Sequence, residues 1–361
     1  MKLAYVAQID MRREDGVTKK IRGQVLEWQR HGNDVKLFAM ARSHDVWSGW
    51  GDLPLDVRAH SGGYSRFATS RALAQQVFDW GPDIVYFRMG ACYPAFRQLA
   101  SRFPTVIERN SNDLAESGLT YGRFKLLYHR VTRRALLRQV RGIVAVSNEL
   151  VDESIDRSKP VLVQGNGIAL ENYPTLPPVQ NTYPRLVFIG TGAAAWHGVD
   201  KIVRLAKHFT DWRFDLVGEL AALVGDERPP NVVVHGYLTS DRYDRVLAQA
   251  DVAIGTLALH RKHMQEASPL KTREYLARGL PTIIAYRDTD FPAPVPYLLQ
   301  LPNTADNVEV SLHAIEQFVR QWKSHRVPQH LVSHLDVRVK ESERIKFLSN
   351  IIASPRQSDG W

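Results

Sequence analysis

Two glutamates eight positions apart, Glu266 and Glu274, bracket a helix start in the segment EASPLKTREYLARGLP at 266–281. Ser268 is of the type that caps a helix N-terminus, and Pro269 suits the first helical position. The leucine, lysine and alanine residues that follow favour helix, and Gly279 with Pro281 stops it. Such a start leaves the N–H groups of Leu270 and Lys271 without intrahelical acceptors and presents the positive end of the helix dipole. An anion can sit there, and Lys271 adds a full charge. One carboxylate precedes the helix and the other lies in its second turn, a placement suited to sugar hydroxyls beside a bound phosphate. A capped helix with solvated acids would have the same composition.

A second anion-binding element is written at 190–198, GTGAAAWHG. Gly190, Thr191 and Gly192 are small enough for backbone to approach an anion, and a helix expected from about 199 aims its N-terminus at the same place. His197 is open either to a phosphate contact or to an ordinary loop hydrogen bond. Near the amino end, QIDMRREDGVTKKIRG at 8–23 carries one glycine, Gly16, which supports a single close backbone approach. It is not a G-x-G-x-x-G fingerprint, which counts against a dinucleotide oxidoreductase. Arg12, Arg13, Lys19 and Lys20 form a charge run there, suited to phosphate or to solvent. Arg88 and the trio Glu108-Arg109-Asn110 close two expected strands, where they could touch an acceptor or a phosphate, or simply pair with one another.

The elements that must position these residues follow from the hydropathy rhythm. Short apolar runs alternate with helical stretches: LAYVA (3–7), DVKLFAM (34–40), DIVYFR (83–88), TVIER (105–109) and GIVAVS (142–147) in the first half. The second half repeats the pattern with RLVFIG (185–190), RFDLVG (213–218), NVVVHG (231–236), VAIGTL (252–257) and TIIAY (282–286). Strands that are apolar on both faces and alternate with helices predict parallel sheets covered on both sides. With 361 residues the chain is long enough for two such α/β domains. YPTLPPVQNTYP at 173–184 holds four prolines and reads as the linker. The expected organisation is a domain at 1–172, the linker, a domain at 185–333, and a helix within 334–361 packing back toward the first domain. Two doubly wound, Rossmann-like domains would face a central crevice, where open α/β sheets bind ligands at their strand carboxyl ends.

The order of these motifs resembles the retaining glycosyltransferases of the GT-B architecture, in the large group of sucrose-synthase and mannosyltransferase relatives that includes glycosyltransferase family 4. EASPLKTREYLARGLP resembles that group's E-x7-E donor motif. LVFIGTGAAAWHGVDKIV (186–203) resembles the strand, loop and helix that open its second domain. IVAVSNEL (143–150) and VQGNGIALENYP (163–174) resemble the end of its first, and DIVYFR followed by TVIERN resembles one branch. The resemblance implies a hexosyltransferase that uses a nucleotide sugar and needs no cofactor. It implies that Glu274 binds ribose hydroxyls, that Glu266 contacts the transferred sugar, and that backbone near Ser268, Pro269, Leu270 and Lys271 holds the diphosphate or sugar. Where the group has an arginine and a lysine in the first loop of its second domain, this chain has Thr191 or Gly192 and then His197. Leaving-group stabilisation would then lean on Lys271, backbone dipoles and a protonated His197. Where relatives place a histidine in the first domain, Arg109 or Asn110 stands in. A non-catalytic nucleotide-sugar-binding partner subunit and another GT-B enzyme, such as a nucleotide-sugar epimerase, are the alternatives.

Charge is unevenly distributed. The chain carries +9 overall; residues 1–170 hold 25 Lys+Arg against 17 Asp+Glu, and residues 171–361 hold 22 against 21. The first half is therefore expected to meet an anionic partner. YGRFKLLYHRVTRRALLRQVR at 121–141 has seven basic residues and no acid. At helical spacing Arg123, Arg130, Arg134 and Arg141 form one stripe edged by leucines, with Phe124, Tyr128, Val131 and Ala135 expected on a core face. Such a stripe suits an anionic membrane surface and a lipid-linked or glycan acceptor, or else a solvated face. Nucleic acid is disfavoured, since no aromatic-interleaved or helix-turn-helix pattern accompanies the charge. The thirteen histidines and the single cysteine, Cys92, show no metal-ligand spacing, and no metal is expected. One cysteine and no long apolar run suggest a cytoplasmic protein, peripheral at most on the inner face of the plasma membrane.

Overall fold

The computed structural model describes residues 1–12, 15–151, 159–190, 194–225 and 228–354. It divides into two compact units, Met1–Gly167 with Val337–Trp361, and Ile168–Asp336.

The first unit is built on seven parallel strands: β1 (Lys2–Gln8), β2 (Asp34–Ala41), β3 (Leu55–Ala59), β4 (Ile84–Arg88), β5 (Thr105–Arg109), β6 (Gly142–Ala145) and β7 (Val161–Val163). Their order is β3-β2-β1-β4-β5-β6-β7. The sheet direction therefore reverses between β1 and β4, the switch point at which doubly wound sheets form ligand crevices. Both faces of β1 are buried, because Leu3, Tyr5 and Ala7 alternate with Ala4 and Val6 and all are inaccessible to solvent. Helix Gly16–Arg30 lies against one face and meets the carboxyl-terminal helix Val337–Ala353, whose Leu348 and Ile351 join the same core. Trp28 donates from Nε1 to Glu341 Oε2 at 2.8 Å, which fixes the contact between these helices.

The second unit repeats the winding with β8 (Arg185–Ile189), β9 (Arg213–Val217), β10 (Val232–Gly236), β11 (Val252–Ile254), β13 (Thr282–Ile284) and β15 (Leu298–Gln300), ordered β10-β9-β8-β11-β13-β15. A separate ribbon pairs β12 (Glu266–Ala267) with β14 (Arg287–Asp288). Leu186 and Phe188 of β8 enter one apolar core and Val187 the other, so both faces are covered. All ten strands expected from the sequence form; β3, β7, β15 and the short ribbon are additional. The proline-rich segment at 173–184 is not a bare tether. It lies within the second unit, where Leu176 N–H donates to Arg278 O, Gln329 Nε2 to Tyr173 O, and Lys323 Nζ to Thr182 O.

Candidate functional site

Three chain segments converge at the switch point of the second sheet. β8 ends at Ile189 and is followed by Gly190, whose N–H donates to Val217 O at 3.0 Å. Thr191 and Gly192 lie outside the described residues. The chain resumes in a short 3-10 turn, Ala195–His197, and Gly198 adopts φ 74 before the helix Val199–His208. Leu257 N–H donates to His197 O and Ala258 N–H to Trp196 O, which lays this turn over the carboxyl end of β11. Gly218, at the end of β9, has φ 120, and a Cβ there would stand 1.8 Å from Gly190 O. Only glycine allows that approach, so Gly218 shapes the start of the loop. A glycine closing RFDLVG was its sole sequence signal.

The donor-type helix is Leu270–Ala277, one residue shorter at its start than expected. Pro269 is the cap residue, and its side chain makes no capping bond. Ser268 is not the N-cap. Its Oγ instead accepts from Arg273 Nη2 at 2.6 Å, because the fully buried guanidinium has no water to donate to and takes protein oxygens as acceptors. Arg273 also donates to Asp288 through both terminal nitrogens, at 2.8 and 2.6 Å, and to Asp290 Oδ2 at 2.7 Å. This bidentate pair braces the 266–269 segment against β14 and so sets the position of Glu266. Sequence reasoning missed it, since no pattern in TREYL distinguishes a buried arginine from a solvated one. Tyr275 supports the site from below by accepting from Ile189 N–H at 2.8 Å.

Lys271 is the most unusual charge here. Its Nζ is buried and has no hydrogen-bond partner. It lies 4.3 Å from the centroid of the Phe188 ring. Burial lowers its pKa to about 7. His197 packs edge-on to the same Phe188 ring at 5.6 Å, and a Cβ on Gly190 would sit 3.1 Å from His197 Nδ1. Gly190, His197 and Lys271 thus meet around one aromatic ring. The expectation of a protonated His197 is corrected by its surroundings: burial, with Lys271 and Lys262 adding repulsion, pushes its pKa down to about 3. At neutral pH the ring is uncharged, and Lys271, poised between its charged and neutral forms, is the one member of that trio able to carry a positive charge there.

The two glutamates sit at the rim. Glu266, on β12, lies 3.5 Å from Arg287 Nη2. Glu274 accepts from Arg278 Nε at 3.3 Å and neighbours Tyr243, whose hydroxyl pKa is pushed up by burial and by the Glu274 charge. Arg278 is itself anchored by Asp244 at 2.6 Å and by the Tyr173 ring. Both carboxylates keep part of their surface open, 16% and 15% of the side chain. That accessibility leaves oxygen lone pairs for hydroxyl groups of a ligand.

The first-unit candidates are engaged differently. Glu108 is completely buried and ion-paired to Lys20 at 2.8 Å, Arg344 at 3.1 Å and Arg88 at 3.3 Å. Asn110 donates to Glu108 at 3.0 Å and accepts from Lys20 at 2.6 Å. Arg88 and Asn110 are therefore parts of a buried network, which the sequence offered as the plainer reading. Arg109 is buried beside them, and its charge helps hold the Asp113 carboxyl below the usual range. Lys20, expected near phosphate or solvent, belongs to this network as well. The Gly16 helix is capped by Asp15, which accepts from Val17 N–H and Thr18 N–H at 2.8 Å. A carboxylate already occupies the anion position that a phosphate contact at Gly16 would need. Arg13 lies outside the described residues. Among the described residues no three His, Cys, Asp or Glu side chains gather as metal ligands.

With this geometry in place, one comparison bears on the first unit. Residues 15–172 match the model of Glycosyltransferase Family 4. No curated protein matches the chain. The apo form of the lipopolysaccharide outer core galactosyltransferase WaaB is similar over 98% of this chain and 99% of its own, at 12% identity and a TM-score of 0.68. Sucrose-phosphate synthase from Thermosynechococcus elongatus, also 12% identical, covers 98% and 96% at 0.69. HepE of Anabaena, solved with UDP-glucose, covers 97% and 100% at 14% identity and 0.66. The fold is that of the GT-B glycosyltransferases: two Rossmann-like domains built on parallel sheets.

Proposed function

We propose that the chain is a retaining, metal-independent glycosyltransferase that moves a hexose-type sugar from a nucleotide sugar to a glycan or lipid-linked acceptor, in the synthesis of a bacterial surface polysaccharide or glycoconjugate. The observation that carries this reading is the unpartnered buried Nζ of Lys271 at a helix start flanked by two rim carboxylates. A buried amine without an acceptor is costly unless a ligand supplies one. A diphosphate does so, and the helix N-terminus adds N–H donors for the same group. The family match over the first unit and the solved complex of HepE with UDP-glucose support a nucleotide-sugar donor and make UDP the first nucleotide to try.

The roles follow from position. Glu274, beside Tyr243 and steadied by Arg278, accepts hydrogen bonds from the ribose. Glu266, set by the Arg273 brace, does so from the transferred sugar. Lys271 and the N–H groups of Leu270 and Lys271 stabilise the charge that grows on the departing diphosphate, the term that usually dominates such reactions. The acceptor oxygen attacks the anomeric carbon on the face the diphosphate leaves, and its proton passes to the departing phosphate oxygen. No carboxylate is required as nucleophile, and configuration is retained. The acceptor is assigned to the more basic first unit.

Two variants test the assignment. Glu274→Ala is expected to weaken UDP binding, measured calorimetrically, by ~1–3 kcal/mol as the ribose loses its acceptor. Glu266→Ala is expected to depress turnover more than nucleotide affinity. Unchanged binding and turnover in both would remove the donor-site reading. Metal independence has its own check, since activity is expected to survive chelation in full. Loss on chelation with recovery in magnesium or manganese would mean that a bridging ion, and not Lys271, neutralises the diphosphate.

A further inference from the structure

Helix Arg123–Gln139 turns the wrong way round for the amphipathic reading of its sequence. Its buried residues are His129, Arg133, Leu136 and Leu137. Asp113 explains the reversal: it bonds His129 Nε2 at 2.9 Å and Arg133 Nε at 3.0 Å, so a polar pair is drawn inward. The apolar face expected in the core lies outside. Phe124 is 91% exposed and Val131 61%, with Tyr128 also exposed, and Leu127, expected at the edge of the basic stripe, joins them at 60%. With about 100° between successive residues, these four fall within one quadrant or so, opposite the buried face. Tyr128 touches Phe67 of helix Ser65–Trp80 at 6.1 Å between ring centroids, and Tyr64 at that helix's start is 93% exposed. The patch therefore spans two helix ends.

Its border is basic. Arg123, Arg130 and Arg134 are exposed along one side of the ridge and Lys125 on the other, while Arg138 continues the ridge toward the helix end. No acid occurs from 117 to 148. Arg141 is not part of this border, because the helix ends at Gln139 and Arg141 Nη2 donates to Ser354 O.

We propose that this ridge docks on an anionic lipid bilayer, Phe124, Leu127 and Val131 entering the headgroup boundary while the flanking arginines meet lipid phosphates. Aromatic and aliphatic side chains with a basic rim match that interface in both polarity and charge. A second copy of the chain is disfavoured as the occupant, since two such rims would repel. No helix among the described residues is long and apolar enough to cross a membrane, so contact of this kind is at the surface. The inference stands apart from the donor site.

The test is co-sedimentation of the full chain with vesicles of phosphatidylcholine alone and of phosphatidylcholine with phosphatidylglycerol. Phe124→Ser, Leu127→Ser and Val131→Ser are combined in one variant and Arg123→Gln, Arg130→Gln and Arg134→Gln in another. Wild type is expected on the anionic vesicles only, with both variants partitioning at least ~10-fold less at unchanged melting temperature. Phe124→Trp should give an emission shifted to the blue on the same vesicles, which reports insertion directly. Equal partitioning of wild type and the apolar variant would overturn the proposal. So would a dimer in sedimentation velocity that the apolar variant abolishes, because the ridge would then be an interface between copies.

Discussion

Replacing Lys271 with methionine is expected to remove most turnover without loss of fold. If the amine faces the leaving diphosphate, its removal should cost ~10²–10³-fold in kcat, the scale seen when one oxyanion donor is deleted from a preorganised site. The melting temperature at pH 7 should hold or rise, because the side chain replaced is a buried amine with no hydrogen-bond partner. A structural lysine would show the opposite pair of results, intact turnover and a weakened fold. The pH dependence supplies a second signature. Lys271 titrates at about 7 in the folded chain, against 10.5 when unfolded. Below pH 7 both states carry the proton and the cost of burying the charge is full. Between about 7 and 10.5 the unfolded chain holds more protons, so this residue makes stability rise with pH, and the methionine variant should lack that rise. Binding reverses the shift, since an anionic nucleotide favours the charged amine. UDP binding at pH 8 is therefore expected to take up a proton in wild type and none in the variant. Calorimetry in buffers of different ionisation enthalpy would show it.

Glu108→Gln is expected to be the most damaging single change to stability. Burial alone would push the Glu108 carboxyl up, yet Lys20, Arg344 and Arg88 hold it well below its ordinary value. Neutralising it leaves two buried cations, Lys20 and Arg344, and the partly buried Arg88 facing one neutral amide. Breaking a buried ion pair by removing one partner costs ~3–5 kcal/mol, and the cluster has no second buried acid against Lys20 and Arg88 among the pairs it forms. Lys20 is already pushed down to about 8 by burial, with Glu108 the main opposing charge. Urea unfolding would measure the loss. The sign with pH is fixed: the carboxyl's contribution is full above its unfolded value and is lost as pH falls through the lower folded one. The variant should therefore show a flatter acid limb. Arg344 and Glu341 reach the cluster from Val337–Ala353, so limited proteolysis should release that helix first in the variant. A midpoint within experimental error of wild type would mean the network is dispensable.

The sequence by itself determined the winding of both sheets and the location of the helix between Pro269 and Gly279. Runs such as LAYVA and RLVFI must be strands with two buried faces, because an uninterrupted apolar run leaves no residue for solvent. The helix after Pro269 was legible for a similar reason, as its start and stop signals are local. Three features were decided only by tertiary structure. Ser268 could cap a helix or accept from Arg273, and a fully buried guanidinium made the choice. His197 could be charged or neutral, and its burial beside Lys271 made it neutral. Helix Arg123–Gln139 could bury either of two faces, and Asp113, on another element, selected the polar one. In each case the deciding partner is distant in sequence or hidden by burial. Spacing reports which side chains share a face, whereas the energy of burying that face depends on charges that only the folded chain brings alongside it.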